Sequence, residues 1–180
     1  MSAAGPPQGT RPLGGAARSD VRGDHTNAAL DAPFSVRKGN DEISTARERL
    51  DLDVVHGYLT ASYWAADIPR ATVERSLAAS LNFGLYRDSA QIGFARFVTD
   101  GATFAYLADV FVLPDYRGQG LATWLVGTAL THPALTGLRR VLLATRDAHT
   151  LYAKFGFAPL ARPERFMEIL TLDVYSKPGG

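Results

Sequence analysis

A mixed α/β domain is the fold class this sequence predicts, on three observations. Apolar residues recur at helical spacing in three separate stretches. Aromatic and β-branched runs, punctuated by Asp-Ser and Asp-Gly, lie between them. The two kinds of element then alternate toward the C-terminus. With 180 residues, 46% hydrophobic and 21% charged, the chain suits one domain with a true core and room for a tail.

Residues 1–40 hold 6 of the 17 Gly and 4 of the 10 Pro, but only one aromatic residue, Phe34. Such a segment buries too little apolar surface to offset the entropy of ordering it. A disordered tail over 1–40 and a folded domain over 41–180 are therefore expected. Residues 43–47 fit a short first strand. A helix follows over 52–64, with Leu52, Val55, Leu59 and Tyr63 in phase, and stops near Pro69. A second helix fits 71–81, with Thr72 as cap and Val73, Leu77 and Leu81 on one face. Residues 84–87, 91–98 and 103–113 read as three antiparallel strands. Residues 118–131 form a helix with Leu121, Leu125, Ala129 and Leu130 aligned, ended by His132-Pro133. Residues 141–144 make a short buried strand. Asp147 caps a short helix through Phe155, with Gly156 ending it. Residues 157–160 and 166–172 look like closing strands, which offer a way to pair two chains as a homodimer.

Composition excludes several classes of function. The chain has no Cys, which removes disulfides, thiolate metal sites and a thiol nucleophile. The net charge of +1 lacks the basic excess of a nucleic-acid binder. Residues 1–40 carry five basic and three acidic residues, so the remainder is marginally acidic. No run approaches the ~20 apolar residues of a membrane span, and the first residues lack a signal-peptide pattern. A cytoplasmic protein with neither nucleic-acid nor membrane partner is expected. His25, His56 and His132 show no ligand spacing, so no metal is expected.

The most informative stretch runs from Asp109 to Thr123. A buried strand ends at Pro114 and a helix opens at Gly118-Gln119-Gly120. The first-turn N–H groups of that helix have no intrahelical partner, and its dipole adds positive potential. Glycines without Cβ let an anion's oxygens reach the main chain, so the turn can seat a pyrophosphate without a dedicated lysine. Gly-x-Gly by itself also marks ordinary turns. No Gly-Lys-Ser/Thr follows, which excludes a Walker loop, and the preceding hairpins do not suit a dinucleotide-binding βαβ unit.

Arg117-Gly-Gln-Gly-Leu-Ala122 resembles the R/Q-x-x-G-x-G/A signature of the GNAT N-acetyltransferase superfamily. Ala148-His-Thr-Leu-Tyr-Ala-Lys-Phe-Gly-Phe157 resembles that family's A-x-x-L-Y-x-x-x-G-F segment. With the element order, the resemblance spans about residues 43–172. It implies the GNAT acyltransferase fold: a mostly antiparallel twisted sheet with splayed strands and about four flanking helices. It also implies acetyl-CoA as donor. Carried over, Val110, Phe111 and Val112 hold the pantetheine arm, and Arg117, Gly118, Gln119, Gly120, Leu121, Ala122 and Thr123 hold the phosphates. The strands bearing Val110 and Val141 are expected to splay around the cofactor. One departure is Thr145, where the family often has an Asn that bonds the arm.

Acetyl transfer to an amine needs a neutral amine, a polarised carbonyl and a proton for the departing thiolate. Tyr152 matches the family's acid, and its phenol can donate to a thiolate; core packing with Leu151 and Phe155 is the alternative. Asp109, an acidic residue inside the apolar run 106–113, is the candidate to accept the amine proton through water, or else a solvent-facing strand residue. A backbone N–H near Val112 is expected to polarise the carbonyl. His149 is read as an exposed polar residue. Tyr63, Trp64 and Phe83 are either an aromatic rim of the acceptor site or core. Arg139-Arg140 reads as a solvated pair that could meet the 3′-phosphate. The expected activity is direct N-acetylation of a small-molecule or protein amine; the alternative is a non-catalytic acyl-CoA sensor on the same fold.

Overall fold

The computed structural model describes residues 28–171 together with 174 and 175. Among these, six strands form one sheet in the order β1-β2-β3-β4-β5-β6, antiparallel except for the last, parallel pair. The strands are β1 (Ser35–Lys38), β2 (Asp41–Ser44), β3 (Leu81–Arg87), β4 (Ala90–Thr99), β5 (Phe104–Val112) and β6 (Arg140–Leu142). Five α-helices accompany them: α1 (Ala28–Asp31), α2 (Leu52–Thr60), α3 (Arg70–Ala78), α4 (Leu121–Leu130) and α5 (His149–Ala153).

The sheet is covered on both faces. Phe83, Leu85, Phe97 and Leu107 pack with Leu121, Leu125, Val126 and Ala129 of α4. Phe94 and Phe111 pack on the other side with Val55 and Leu59 of α2 and Val73 of α3. Strict alternation along β5 would place Phe111 beside Ala105 and Leu107. A bulge reverses it. Phe94 pairs with Phe111 but Arg96 pairs with Ala108, so Asp109 and Val110 together oppose Ala95. Asp109 takes a left-handed backbone (φ 54°), which Asp tolerates better than most residues.

The ordered fold reaches back across the expected boundary at residue 40. β1 pairs with β2 from Ser35↔Ser44 to Lys38↔Asp41. The two-residue loop Gly39–Asn40 has Gly at the first position with φ 60°, a geometry that suits the strand twist. Phe34 shares three bonds with Thr45: its N–H donates to Thr45 Oγ1 at 3.1 Å, and its carbonyl accepts the Thr45 N–H at 3.0 Å and the Thr45 hydroxyl at 3.4 Å. Averaging composition over 40 residues concealed this hairpin. Residues 1–27 lie outside the described residues.

Other boundaries move for local reasons. The helix expected over 52–64 stops at Thr60, and Asp51 caps it by accepting from the Asp53 and Val54 N–H groups. Pro69, not Thr72, precedes α3, which starts at Arg70. Leu81 opens β3 instead of closing α3. The expected closing strands over 157–160 and 166–172 do not join the sheet among the described residues; a single 3-10 turn, Pro163–Arg165, lies between them.

His132 is fully buried. The rings of Phe34 and Phe83 lie 5.0 and 5.6 Å from it, and Nδ1 accepts the Ala134 N–H at 3.2 Å. Burial pushes its pKa down. The folded imidazole therefore stays neutral where the unfolded one (pKa about 6.5) takes up a proton. Its contribution to stability is complete above about pH 6.5. It is lost as pH falls toward the lowered folded pKa, by up to ~1.4 kcal/mol per pH unit. Urea melts between pH 7.5 and 5.5 should show this loss, and His132→Met should flatten it; an identical acid limb in the variant assigns the loss elsewhere.

Candidate active site

β5 and β6 pair only through Phe104↔Arg140, Ala105↔Val141 and Tyr106↔Leu142. β5 then runs on to Val112 with no further β6 partner, so the two strands part and leave one edge of β5 facing a slot. The expected splay of the strands bearing Val110 and Val141 takes this form. Val110, Phe111 and Val112 lie on the diverging stretch, with Phe111 turned into the core and Val110 partly buried.

The slot leads to the turn after β5. A 3-10 turn, Pro114–Tyr116, follows the strand, and α4 starts after Gly120. Gly118 and Gly120 both have left-handed backbones (φ 76° and 75°). A Cβ at either position would meet no atom within 4 Å, so the space over the turn is open. Gly120 provides no side-chain cap, and the Trp124 N–H makes the first helical bond, to the Gly120 carbonyl at 3.0 Å. The donors of Leu121, Ala122 and Thr123 belong to the turn that a helix leaves unsatisfied. A cleft of about 170 Å³ lies here, lined by Val112, Tyr116, Arg117, Gly118 and the first turn of α4.

Two side chains near the turn differ from expectation. The Arg117 guanidinium is engaged inward: Nε donates to the Val112 carbonyl at 3.0 Å and Nη2 to Tyr58 Oη at 2.9 Å. It braces the turn against β5 and α2. Arg87, which no motif flagged, donates from Nη2 to Gln119 Oε1 at 3.0 Å and lies 5.3 Å from the Tyr116 ring centroid. Its Nε pairs with Asp41 at 2.7 Å. Only its position at the end of β3, opposite the paired Asp41, brings it to the turn.

A second cluster sits where β5 bulges. Asp109 Oδ2 pairs with Arg96 Nε at 2.5 Å, and Oδ1 accepts from Trp64 Nε1 at 3.1 Å. The two charged side chains are 9% and 17% exposed. Arg96 also donates to Ser80 Oγ at 3.1 Å. Asp109 is therefore neither solvent-facing nor alone. Trp64 and Tyr63 stand half-exposed, with rings 4.9 Å apart, and the Arg146 guanidinium lies 3.7 Å over Tyr63. Phe83, by contrast, is core.

Tyr152 is the one buried residue of α5, 9% exposed, with its ring 5.9 Å from Phe157. Burial first, then the neighbouring Tyr63 and Asp147, pushes its phenol up to about 12. The phenol keeps its proton throughout the ordinary pH range. Thr145, not Asp147, braces the start of α5, its Oγ1 accepting the Ala148 N–H at 3.0 Å. Tyr152, Thr145 and exposed His149 share the wall of a larger groove of about 1190 Å³ beside β6. The glycine turn thus follows the diverging end of β5, the Asp109 cluster sits at the bulge of the same strand, and Tyr152 lines the groove beside β6. Among the described residues no group of three or more His, Asp or Glu could hold a metal ion, and no helix is long and apolar enough to cross a membrane.

Comparison with known proteins points the same way. The Acetyltransferase (GNAT) family matches residues 46–157. A curated protein of Gibberella zeae, named "Putative acetyltransferase FG08082", is 32% identical over 145 residues, covering 68% of this chain and 81% of its own. The crystal structure of a GNAT-family protein from Xanthomonas campestris pv. campestris is 46% identical with a TM-score of 0.74, covering 76% of this chain and 97% of its own. A Deinococcus radiodurans structure shares the fold at 20% identity, with a TM-score of 0.62 over 82% of this chain and all of its own.

Proposed function

Because the chain belongs to the GNAT acetyltransferase family, we propose that it transfers acetyl from acetyl-CoA to a primary amine by direct attack, without an acyl-enzyme. The observation that carries this reading is the slot between β5 and β6. It ends at two left-handed glycines on the N-terminus of a ten-residue helix, and a protonated, buried Tyr152 lines the groove beside β6.

The residues fit the donor. The open cradle over Gly118 and Gly120 and the first-turn N–H groups of Leu121, Ala122 and Thr123 would receive the pyrophosphate. The diverging edge of β5 from Val110 to Val112 offers main-chain groups to an extended amide-bearing arm. Acetyl-CoA supplies an acetyl group activated as a thioester. In the transfer a C–N bond forms, the C–S bond breaks and the amine gives up a proton. Tyr152 holds the proton that the thiolate takes, and its raised pKa keeps it loaded. Asp109 holds Trp64 and Arg96 in place with one bond from each oxygen. A carboxylate accepts about four bonds, so its remaining lone pairs can take the amine proton through water.

The test uses a property of the sequence. The chain has no Cys, so a thiol reagent reads only released CoA. Incubation with acetyl-CoA and a panel of amino acids, polyamines, aminoglycosides and peptides should release thiol with at least one acceptor. Tight CoA binding with no release from the whole panel would favour the acyl-CoA sensor. Gly120→Ala should raise the Kd for CoA about tenfold, because a methyl group enters the cradle and φ 75° becomes strained. Titration calorimetry reads this directly, and an unchanged Kd removes the turn from the phosphate site.

A further inference from the structure

Resting on the acetyl-transfer reading, we propose that the acceptor is an amino acid with an apolar side chain, its carboxylate held by Arg146 and its side chain lying against Trp64. The segment 61–69 between α2 and α3 is well anchored. Ala65 and Ile68 are buried, the Ser62 hydroxyl donates to the Leu59 carbonyl at 2.7 Å, and the Asp67 N–H donates to the Thr60 carbonyl at 3.1 Å. Yet its two largest side chains stand in solvent: Tyr63 is 51% exposed and Trp64 41%. A pinned segment that keeps two neighbouring aromatic rings in water forgoes the burial through which such residues stabilise a fold.

Three contacts tie this pair to the proposed chemistry. Trp64 Nε1 donates to Asp109 Oδ1 at 3.1 Å, which fixes the indole at the candidate proton acceptor. The Trp64 and Tyr63 rings meet at 81°, with centroids 4.9 Å apart. Tyr63 in turn lies close enough to Tyr152 to add, after burial, to the rise of that phenol's pKa. Two consecutive residues therefore join the surroundings of the proposed base to those of the proposed acid. An amine reacting between these groups has its remaining atoms beside the corner that the two rings form.

Arg146 supplies the charge. Its guanidinium lies 3.7 Å over the Tyr63 ring, a contact that holds it in place. The loop bearing it is braced at the preceding residue, where Thr145 Oγ1 accepts the Ala148 N–H at 3.0 Å. Asp147 sits 3.8 Å from Arg146, beyond hydrogen-bond length, and both side chains are about two-thirds exposed, so this pairing leaves the guanidinium donors available. Arg96 and Asp109 neutralise each other, which leaves Arg146 as the cation of the corner. A guanidinium fork matches a carboxylate through two parallel bonds. The adjoining Asp147 carboxylate repels a doubly charged phosphate about twice as strongly as a carboxylate, so the single charge is favoured. In the transfer the acceptor nitrogen forms the C–N bond as the C–S bond breaks. One proton leaves that nitrogen toward Asp109, the thiolate takes another from Tyr152, and the carboxylate is unchanged.

Two measurements test this. Arg146→Met should lower the ratio of kcat/KM for L-phenylalanine to that for L-phenylalaninamide by about 10–100-fold, the contribution of a charge-assisted bond. The differing amine pKa values of the two acceptors cancel in that comparison. O-Phosphoethanolamine should be a poorer acceptor than β-alanine, and the reverse order overturns the carboxylate assignment. Binding is read without turnover. The chain has two Trp, so Trp124→Phe leaves Trp64 as its only indole. With CoA present, the product N-acetyl-L-phenylalanine should change Trp64 fluorescence at a concentration at least about tenfold below that needed for its amide. Binding with that preference but no thiol release from any acceptor would overturn the acetyl-transfer reading and leave the site standing. Thiol release with a ratio that Arg146→Met leaves intact overturns the role of Arg146 and spares the reading. Neither binding nor release overturns both.

Discussion

Tyr152→Phe should lower the rate of acetyl transfer by roughly 10²–10⁴-fold, the contribution of a positioned general acid. The substitution removes one oxygen from a residue 9% exposed and leaves the ring against Phe157. Stability and CoA affinity should therefore stay near those of the wild type. The pH profile gives a second reading. With the phenol pushed up to about 12, Tyr152 remains protonated as pH rises from 6 to 10. Any falling limb in that interval should persist unchanged in the variant's residual activity. Steady-state thiol release and CoA titration separate the two effects, and equal turnover in Tyr152→Phe would remove it as the acid.

Asp109→Ala should be the most damaging single change to stability, about 3–5 kcal/mol, because it leaves the largely buried Arg96 guanidinium without its partner. The melting temperature should fall by about 10 °C. The alanine must also accept φ 54°, at about 1–2 kcal/mol. Asp109→Asn tolerates that backbone and can keep the Trp64 bond while losing the charge, so it should cost less stability yet still slow transfer. A double-mutant cycle with Arg96→Ala isolates the pair. Coupling near zero would show that the pair contributes nothing to the fold.

The sequence motifs located the glycine turn and Tyr152 because both depend on local pattern: a left-handed backbone before a helix, and one buried position on a short helix. The environment of Asp109 was not legible. Its partners Trp64, Arg96 and Ser80 come from three other segments, and the bulge that turns it toward them is a register event between strands. Arg87 escaped notice for the same reason, since strand pairing alone carries it to Gln119. The hairpin at 35–44 was hidden by a Gly- and Pro-rich preceding stretch. The closing strands expected over 157–160 and 166–172 do not form among the described residues, because β-propensity alone does not supply a partner edge.

The narrow join between β5 and β6 has a consequence for cooperativity. Three residue pairs connect β6 to the rest of the sheet, whereas β3, β4 and β5 share long ladders. Backbone amides of the central strands should exchange with solvent only on global unfolding, while those of β6 exchange through a cheaper partial opening. A molecule lying in the slot touches both strands. Its binding energy then adds to the cost of that opening, so the substrate would act as the mortar between two strands that only a short ladder joins.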